Sequence, residues 1–241
     1  DEMNIEDKYK SYFSSRGVDP SLYIDAKLPC YLRTVFQKGK SILDIGCGFG
    51  QNMYALLNEG YTDIHGIDVS QTAVEYCLTQ GLSVEHCDIM NYSGDRYDYV
   101  LMSHVLEHLP KECVVPILRK IREEILATDG ALCIMVPNAQ SNTDCYWAYE
   151  DFTHYTLFTA GSLLYVLREA GFTDIEFLDP DGLSPSAGWK KWIKYLLLKA
   201  YVGNKLFWNK VTGSAYHRPS PMIFTWELKC LAKGKHNANP M

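Results

Sequence analysis

The residues best suited to chemistry are three glycines and three aspartates. The run Gly46-x-Gly48-x-Gly50 lets a main chain turn sharply and approach a ligand closely. Asp44 precedes the first glycine, and Asp68 and Asp88 follow at wider spacing. A carboxylate ahead of such a loop repels a pyrophosphate but accepts from, or organises water near, a cationic amino-acid end. A second carboxylate can accept from both hydroxyls of a ribose. A third can accept from an adenine amino group, with Ile89 packing on the ring. The rival is a dinucleotide loop, G-x-G-x-x-G with no acid before its first glycine, and this acid-led G-x-G-x-G spacing departs from it. Each acid alone is a common loop residue, so the signal lies in the three together.

A second constellation holds His104, Glu107 and His108, at i, i+3 and i+4. If that segment is helical, the three share a face. His154, Asn138 and Tyr155 lie further along, beside an aromatic stretch with Tyr146, Trp147 and Tyr149.

The elements that must position these residues are alternating strands and helices. Ser41–Ile45, Ile64–Ile67, Leu82–His86, Tyr97–Met102 and Ala131–Val136 read as five strands. Helices are expected over Asn52–Glu59, Gln71–Thr79 (with Ser70 as N-cap) and Lys111–Leu126. That alternation predicts βαβ units with right-handed crossovers. The chain is therefore expected to be α/β, a Rossmann-like seven-stranded, mostly parallel sheet flanked by helices. Helices precede the sheet, and a helical insertion falls before the last strand. A helix over Ala160–Ala170, strands at Ile175–Leu178 and near Ile223–Ala232, and the insertion around 187–210 complete it. The expected divisions are a helical cap over 1–38, a core over 39–183 and 221–235, and an insertion over 184–220. In such sheets ligands bind beyond the carboxyl ends of the strands, where the loop glycines and all three acids fall. With 241 residues, 47 % hydrophobic and 22 % charged, the chain can bury a real core.

Taken in order, ILDIGCGFG, GIDVS, CDI, YDYVLMSHVLEHLP and GALCIMVPN resemble the successive motifs of the class I S-adenosylmethionine-dependent methyltransferases. The resemblance covers about residues 40–180. It is closest to the branch with the ubiquinone-pathway O-methyltransferases and methyltransferases of bacterial surface-polysaccharide pathways. Asp151–Thr159, leading into Ser162–Phe172, resembles the polysaccharide group especially. The resemblance implies S-adenosylmethionine as cofactor and methyl transfer to a nucleophile above the sheet. It implies that Asp44, Gly46, Gly48, Asp68, Asp88 and the start of Ser103–Glu107 line the cofactor site, with Cys47, Val69 and Ile89 beside them.

For the histidines three readings stand. Glu107 and His108 can be structural around the turn at Pro110. A histidine near neutral pKa can take the proton of a hydroxyl acceptor, with His154 the first choice and His104 the second. Or His104, Glu107, His108 and His154 can hold a divalent metal, a reading not favoured here. The ubiquinone-pathway relatives carry a glutamate where this chain has His104, which weakens a magnesium preference. Asn138 and Tyr155 are candidate acceptor contacts, and Tyr9 and Tyr12 can close over the cofactor.

Seven of the chain's 23 basic residues lie between 185 and 220, and none of its 29 acidic ones does. Lysines 190, 191, 194, 199, 205 and 210 interleave with aromatic and aliphatic residues. This helix can aim Lys190, Lys194 and Arg218 at an anionic acceptor, form a homodimer face, or make a peripheral membrane contact. The expected acceptor is a sugar or phosphate-bearing molecule of surface-polysaccharide synthesis. The alternatives are a phenol methylated with metal assistance, an amine, or a non-catalytic partner that keeps the fold. The net charge of −6 argues against nucleic acid. No Cys-x-x-Cys pair, leader-like segment or long apolar run appears, so the expected setting is cytoplasmic.

Overall fold

The computed structural model describes residue 13 and residues 15–234. Tyr9 and Tyr12, and part of the expected cap over 1–38, lie outside the described residues. What is described of the cap is a 3-10 turn at Pro20–Tyr23 and a short helix α1, Cys30–Arg33.

The strands are β1 Ile42–Ile45, β2 Ile64–Asp68, β3 Val84–His86, β4 Tyr97–Ser103, β5 Leu126–Pro137, β6 Asp174–Phe177 and β7 Glu227–Lys233. They form one sheet in the order β3-β2-β1-β4-β5-β7-β6. β7 runs antiparallel to both neighbours, and the other pairings are parallel. The chain reverses direction across the sheet next to β1, between β2 and β4, and that crevice is where ligands bind in such folds.

Every residue of β1 is buried. Alternation sends Leu43 and Ile45 to the core on one face and Ile42 to the core on the other. Asp44 follows Ile42, so its carboxyl lies beneath helix α2, Gln51–Asn58. Helix α3, Gln71–Thr79, starts as expected, with the Ser70 hydroxyl accepting from the Ala73 N–H.

Helix α4 covers Lys111–Lys120 and then widens into a π turn over Ile121–Ile125, shorter than the expected Lys111–Leu126. Leu126 is already strand, and the β4–β5 register shifts between Tyr97 and Tyr99. Helices α5, Tyr146–Glu150, and α6, Ala160–Glu169, follow β5. α6 is fixed by a capping box between Thr159 and Ser162. The insertion is one helix, α7, Gly188–Thr212.

Two expectations are corrected. The segment after β4 is no helix: His104 has φ +56°, and only Leu106–His108 makes a 3-10 turn. The last strand begins at Glu227 rather than Ile223. Residues 223–226 instead supply main-chain oxygens to Asn138.

Candidate active site

The loop after β1 turns through three left-handed glycines: Gly46 at φ +69°, Gly48 at +51° and Gly50 at +83°. A Cβ on Gly46 would lie 2.4 Å from Val105 Cγ2, so this position excludes any side chain. A Cβ on Gly48 would meet nothing within 4 Å, which leaves its surface bare toward a cavity of 540 Å³. Asp68 locks the loop. One of its oxygens accepts from the Gly48 N–H at 2.7 Å and the other from the Ser70 N–H at 2.8 Å. Burial raises its pKa against those bonds.

Asp44 lies behind the loop and is wholly buried. Neither carboxylate oxygen has a hydrogen-bond partner of acceptable geometry. Burial pushes its pKa up to about 8, although the Asn52 amide is near enough to pull the other way. Asp88 is on the cavity wall and turns one oxygen to the Met90 N–H at 2.8 Å. Ile89 and Val69 line the same wall. Three expected lining residues do not reach it: Asp44, wholly buried behind the loop, and two others. Cys47 is buried behind the loop, where burial raises its thiol pKa. Ser103 stays in β4 opposite Met135, and His104 and Val105 line the cavity in its place.

A smaller cavity of 130 Å³ adjoins this one and shares His104 and His108 with it. Arg16, Glu107, Asp151, His154, Trp147 and Trp226 also line it. The two rim loops are tied together by the Tyr155 N–H, which donates to the Glu107 carbonyl at 2.8 Å. Tyr155 itself faces the larger cavity.

Each histidine has a distinct state. His104 is held at both nitrogens, Nδ1 by Glu107 Oε1 at 3.1 Å and Nε2 by Glu227 Oε1 at 2.8 Å. Its ring stacks on Trp226. Burial alone would lower its pKa, but the bonds to Glu107 and Glu227 and their charges outweigh that and hold it at about 10. His104 is therefore an imidazolium at neutral pH, with no lone pair for a proton, which corrects its expected role as a base.

His154 Nδ1 lies 2.9 Å from the Trp147 carbonyl, which can only accept, so Nδ1 carries a proton and Nε2 is the nitrogen left to exchange one. That atom is 3.5 Å from Asp151 Oδ2 and 4.0 Å from Glu107 Oε1. The Thr153 hydroxyl is 2.6 Å from Asp151 Oδ1 and 2.9 Å from His108 Nδ1. Its single proton goes to the carboxylate, so His108 donates to the hydroxyl oxygen from Nδ1. Burial lowers the His108 pKa. Asp151 is paired with Arg16 at 2.7 Å. Burial alone would raise its pKa, but the Thr153 bonds hold it below the ordinary value.

The four-residue metal set reduces to three. Ligand atoms of Glu107, His108 and His154 lie within 4.8 Å of one another, whereas both nitrogens of His104 are occupied by carboxylates. Asn138 is corrected as well. Its amide donates to the Ile223 and Thr225 carbonyls and accepts from the Gln140 N–H, so both donors are used and the residue is buried away from any acceptor. Lys190, Lys194 and Arg218 line neither cavity. The lysines sit exposed on α7, with Lys194 bonded to the Gly182 carbonyl.

Glu227, Trp226 and Arg16 were missed in the sequence. Glu227 reaches His104 across 123 residues because β7 returns antiparallel beside β5, and no local pattern signals that. Thr153 had a local signal, the Asp-x-Thr-His spacing that builds a side-chain-to-backbone turn.

The family model for the methyltransferase domain matches residues 21–176. Among curated proteins the chain is similar to the ubiquinone biosynthesis O-methyltransferase of Coxiella burnetii, with 30 % identity over 81 residues. That match covers 30 % of this chain and 34 % of the relative, so it spans about a third of the curated protein. Among solved structures, an S-adenosylmethionine-dependent methyltransferase from Archaeoglobus fulgidus superposes with a TM-score of 0.63 and 20 % identity, over 93 % of this chain and 99 % of that one. The plantazolicin methyltransferase BpumL, solved with S-adenosylhomocysteine, gives 0.56 and 20 % identity, over 96 % and 91 %.

Proposed function

Because the chain belongs to the methyltransferase domain family and has the fold of the class I, S-adenosylmethionine-dependent enzymes, we propose that it transfers the methyl of that cofactor to a hydroxyl of a small acceptor, a sugar of surface-polysaccharide synthesis. The observation that carries the reading is the pair of cavities with His104 and His108 in their common wall. The larger suits the cofactor, and the smaller suits the reacting end of an acceptor.

In this reading Asp44 answers the cofactor's ammonium end, Asp68 its ribose hydroxyls, and Asp88 with Ile89 its adenine. When bound, the cofactor supplies a methyl already activated by a cationic sulfur. The chain's own task is to orient the hydroxyl and remove its proton. His154 Nε2 takes that proton, and Asp151 and Glu107 stabilise the imidazolium formed. Trp147 and Trp226 offer flat faces to a sugar ring. The sugar assignment rests on those faces and on the resemblance of Asp151–Phe172 to the polysaccharide enzymes.

A second reading, metal-assisted methylation of a phenol, is favoured by the Glu107, His108 and His154 cluster. Glu107 Oε2 is buried without a hydrogen-bond partner, and one ligand atom from each of Glu107, His108 and His154 lies within 4.8 Å of the other two. Imidazole plus carboxylate suits zinc or a similar ion, which lowers the pKa of a bound hydroxyl.

One experiment separates the two. The purified full chain is given methyl-labelled S-adenosylmethionine with free sugars, nucleotide-linked sugars and catechols, with and without chelator. A labelled sugar ether formed despite chelator, with turnover about 10²–10⁴-fold slower in His154→Asn, is the expected result. Turnover of catechol alone, abolished by chelator and restored by zinc, replaces the first reading with the second. An undiminished rate in His154→Asn removes the base.

A further inference from the structure

Helix α7 buries no residue in its 25-residue length, although it is rich in apolar side chains. Its half-buried residues Tyr195, Leu198, Val202, Lys205 and Asn209 step by three and four along one face. Tyr201, beside that stripe, donates to Asn142 Oδ1 at 3.0 Å and packs edge-on against Phe224. On the opposite face, Trp189, Ile193, Leu196, Phe207 and Val211 make a second stripe with the same period, completed by Ala200 and Gly203. Trp189 is 69 % exposed, Leu196 61 %, Phe207 59 % and Val211 59 %. A globular chain does not ordinarily leave such a stripe in water.

The charges name its occupant. The helix carries six lysines and no acid, within a chain whose net charge is −6. On the helical wheel Lys199 and Lys210 border the apolar stripe on one side and Lys190 lies beyond its other edge, while Lys194 turns back to the Gly182 carbonyl. Lysines in that position can lay their stems along an apolar surface and carry the charge outward to anions. A second copy of the chain fits poorly. A twofold pairing would lay the lysine-edged stripe against itself, with no carboxylate on either helix to answer the charge.

Topology then fixes where this surface lies. The excursion that contains α7 leaves the sheet after Phe177 and returns at Glu227, the start of β7, whose partner on β5 is Pro137 at that strand's carboxyl end. It therefore departs from the rim of the sheet that carries the glycine loop and both cavities. We propose that α7 is an interfacial anchor that lays this rim of the enzyme on an anionic phospholipid surface. No helix among the described residues is long and apolar enough to cross a membrane, so the contact is peripheral. The inference does not depend on the identity of the acceptor.

The test is flotation of the full chain with vesicles of phosphatidylcholine alone and of phosphatidylcholine with about one-third phosphatidylglycerol. The chain is expected to float with the anionic vesicles at least about tenfold more strongly than with the neutral ones, and less at high salt. Tryptophan emission should shift to the blue on binding. Ile193→Asp should abolish flotation while leaving S-adenosylhomocysteine affinity intact. Lys199→Glu with Lys210→Glu should weaken it in a chain whose apolar stripe is untouched. Failure to float with anionic vesicles overturns the proposal. So does a solution dimer, seen by sedimentation velocity, that Ile193→Asp dissociates.

Discussion

Replacement of Asp44 by asparagine should make the ligand-free protein more stable, and by an amount that grows with pH. The Asp44 carboxyl is fully buried, and that burial outweighs the Asn52 amide and pushes its pKa up to about 8. In the unfolded chain an aspartate titrates near 3.9. Between those values the folded protein holds a proton that the unfolded chain has released. The unfolded state then binds fewer protons, so stability falls as pH rises, by about 1.4 kcal/mol per pH unit. The contribution is fully present below about pH 4 and is lost as pH passes through 8. At pH 7, roughly three units above the unfolded value, the accumulated loss is about 4 kcal/mol. Asparagine keeps the shape and has no such titration. Urea unfolding of both proteins at pH 5, 6, 7 and 8.5 reads the difference directly. The stability gap should widen by about 1.4 kcal/mol for each unit between pH 5 and 7, then level off above 8. A gap that stays constant with pH would refute the protonated acid. The same residue predicts a proton balance on ligand binding. A cationic group reaching Asp44 restores the carboxylate and releases roughly one proton at pH 7, visible by calorimetry in buffers of different ionisation enthalpy. Asp44→Asn should release none.

Two further perturbations follow from the same geometry. Gly46→Ala forces a methyl to within 2.4 Å of Val105 Cγ2 on a φ of +69°. It should cost about 1–3 kcal/mol in thermal or urea unfolding and weaken cofactor binding, whereas Gly48→Ala, which meets no atom, should cost less. His104→Gln should remove a pH dependence of the same sign as that of Asp44, at higher pH. The wild-type ion pairs are fully formed below about pH 6.5 and are lost as pH rises through about 10, so wild-type stability should fall over that range relative to the variant. Parallel stability curves for the two proteins across pH 7 to 10 would show that His104 is not held as an imidazolium.

The parts of this architecture that could be read from the sequence are those set by local periodicity. Short apolar runs separated by helix-length segments can bury only as a parallel sheet, so the strands fell within a few residues of expectation. The glycine loop was legible because its spacing is dictated by φ alone. Helix α7 was legible because a long lysine-rich amphipathic run has few other solutions. The histidine site was not. Its expected geometry assumed a helix after β4, but the chain leaves β4 through a left-handed His104 and reaches Pro110 after only one 3-10 turn. The decisive partner of His104, Glu227, arrives from the far end of the chain. Asn138 misled for a related reason: a polar residue at the carboxyl end of a strand looks like a ligand contact until the distant segment that uses it is seen.

In the proposed reading the cavity beyond β1 binds S-adenosylmethionine, with Asp68 and Asp88 on its wall and Asp44 buried behind the loop. Isothermal titration of the wild-type chain and Asp68→Ala with S-adenosylhomocysteine tests it most directly. Asp68 holds the Gly48 N–H at 2.7 Å and faces the cavity, so its loss removes both a loop contact and a charged acceptor. Charge-assisted bonds of that kind contribute about 1.5–3 kcal/mol, so affinity should fall about 10–150-fold from a saturable one-site isotherm. Absence of saturable binding to the wild-type protein, or equal affinity in Asp68→Ala, would contradict the claim.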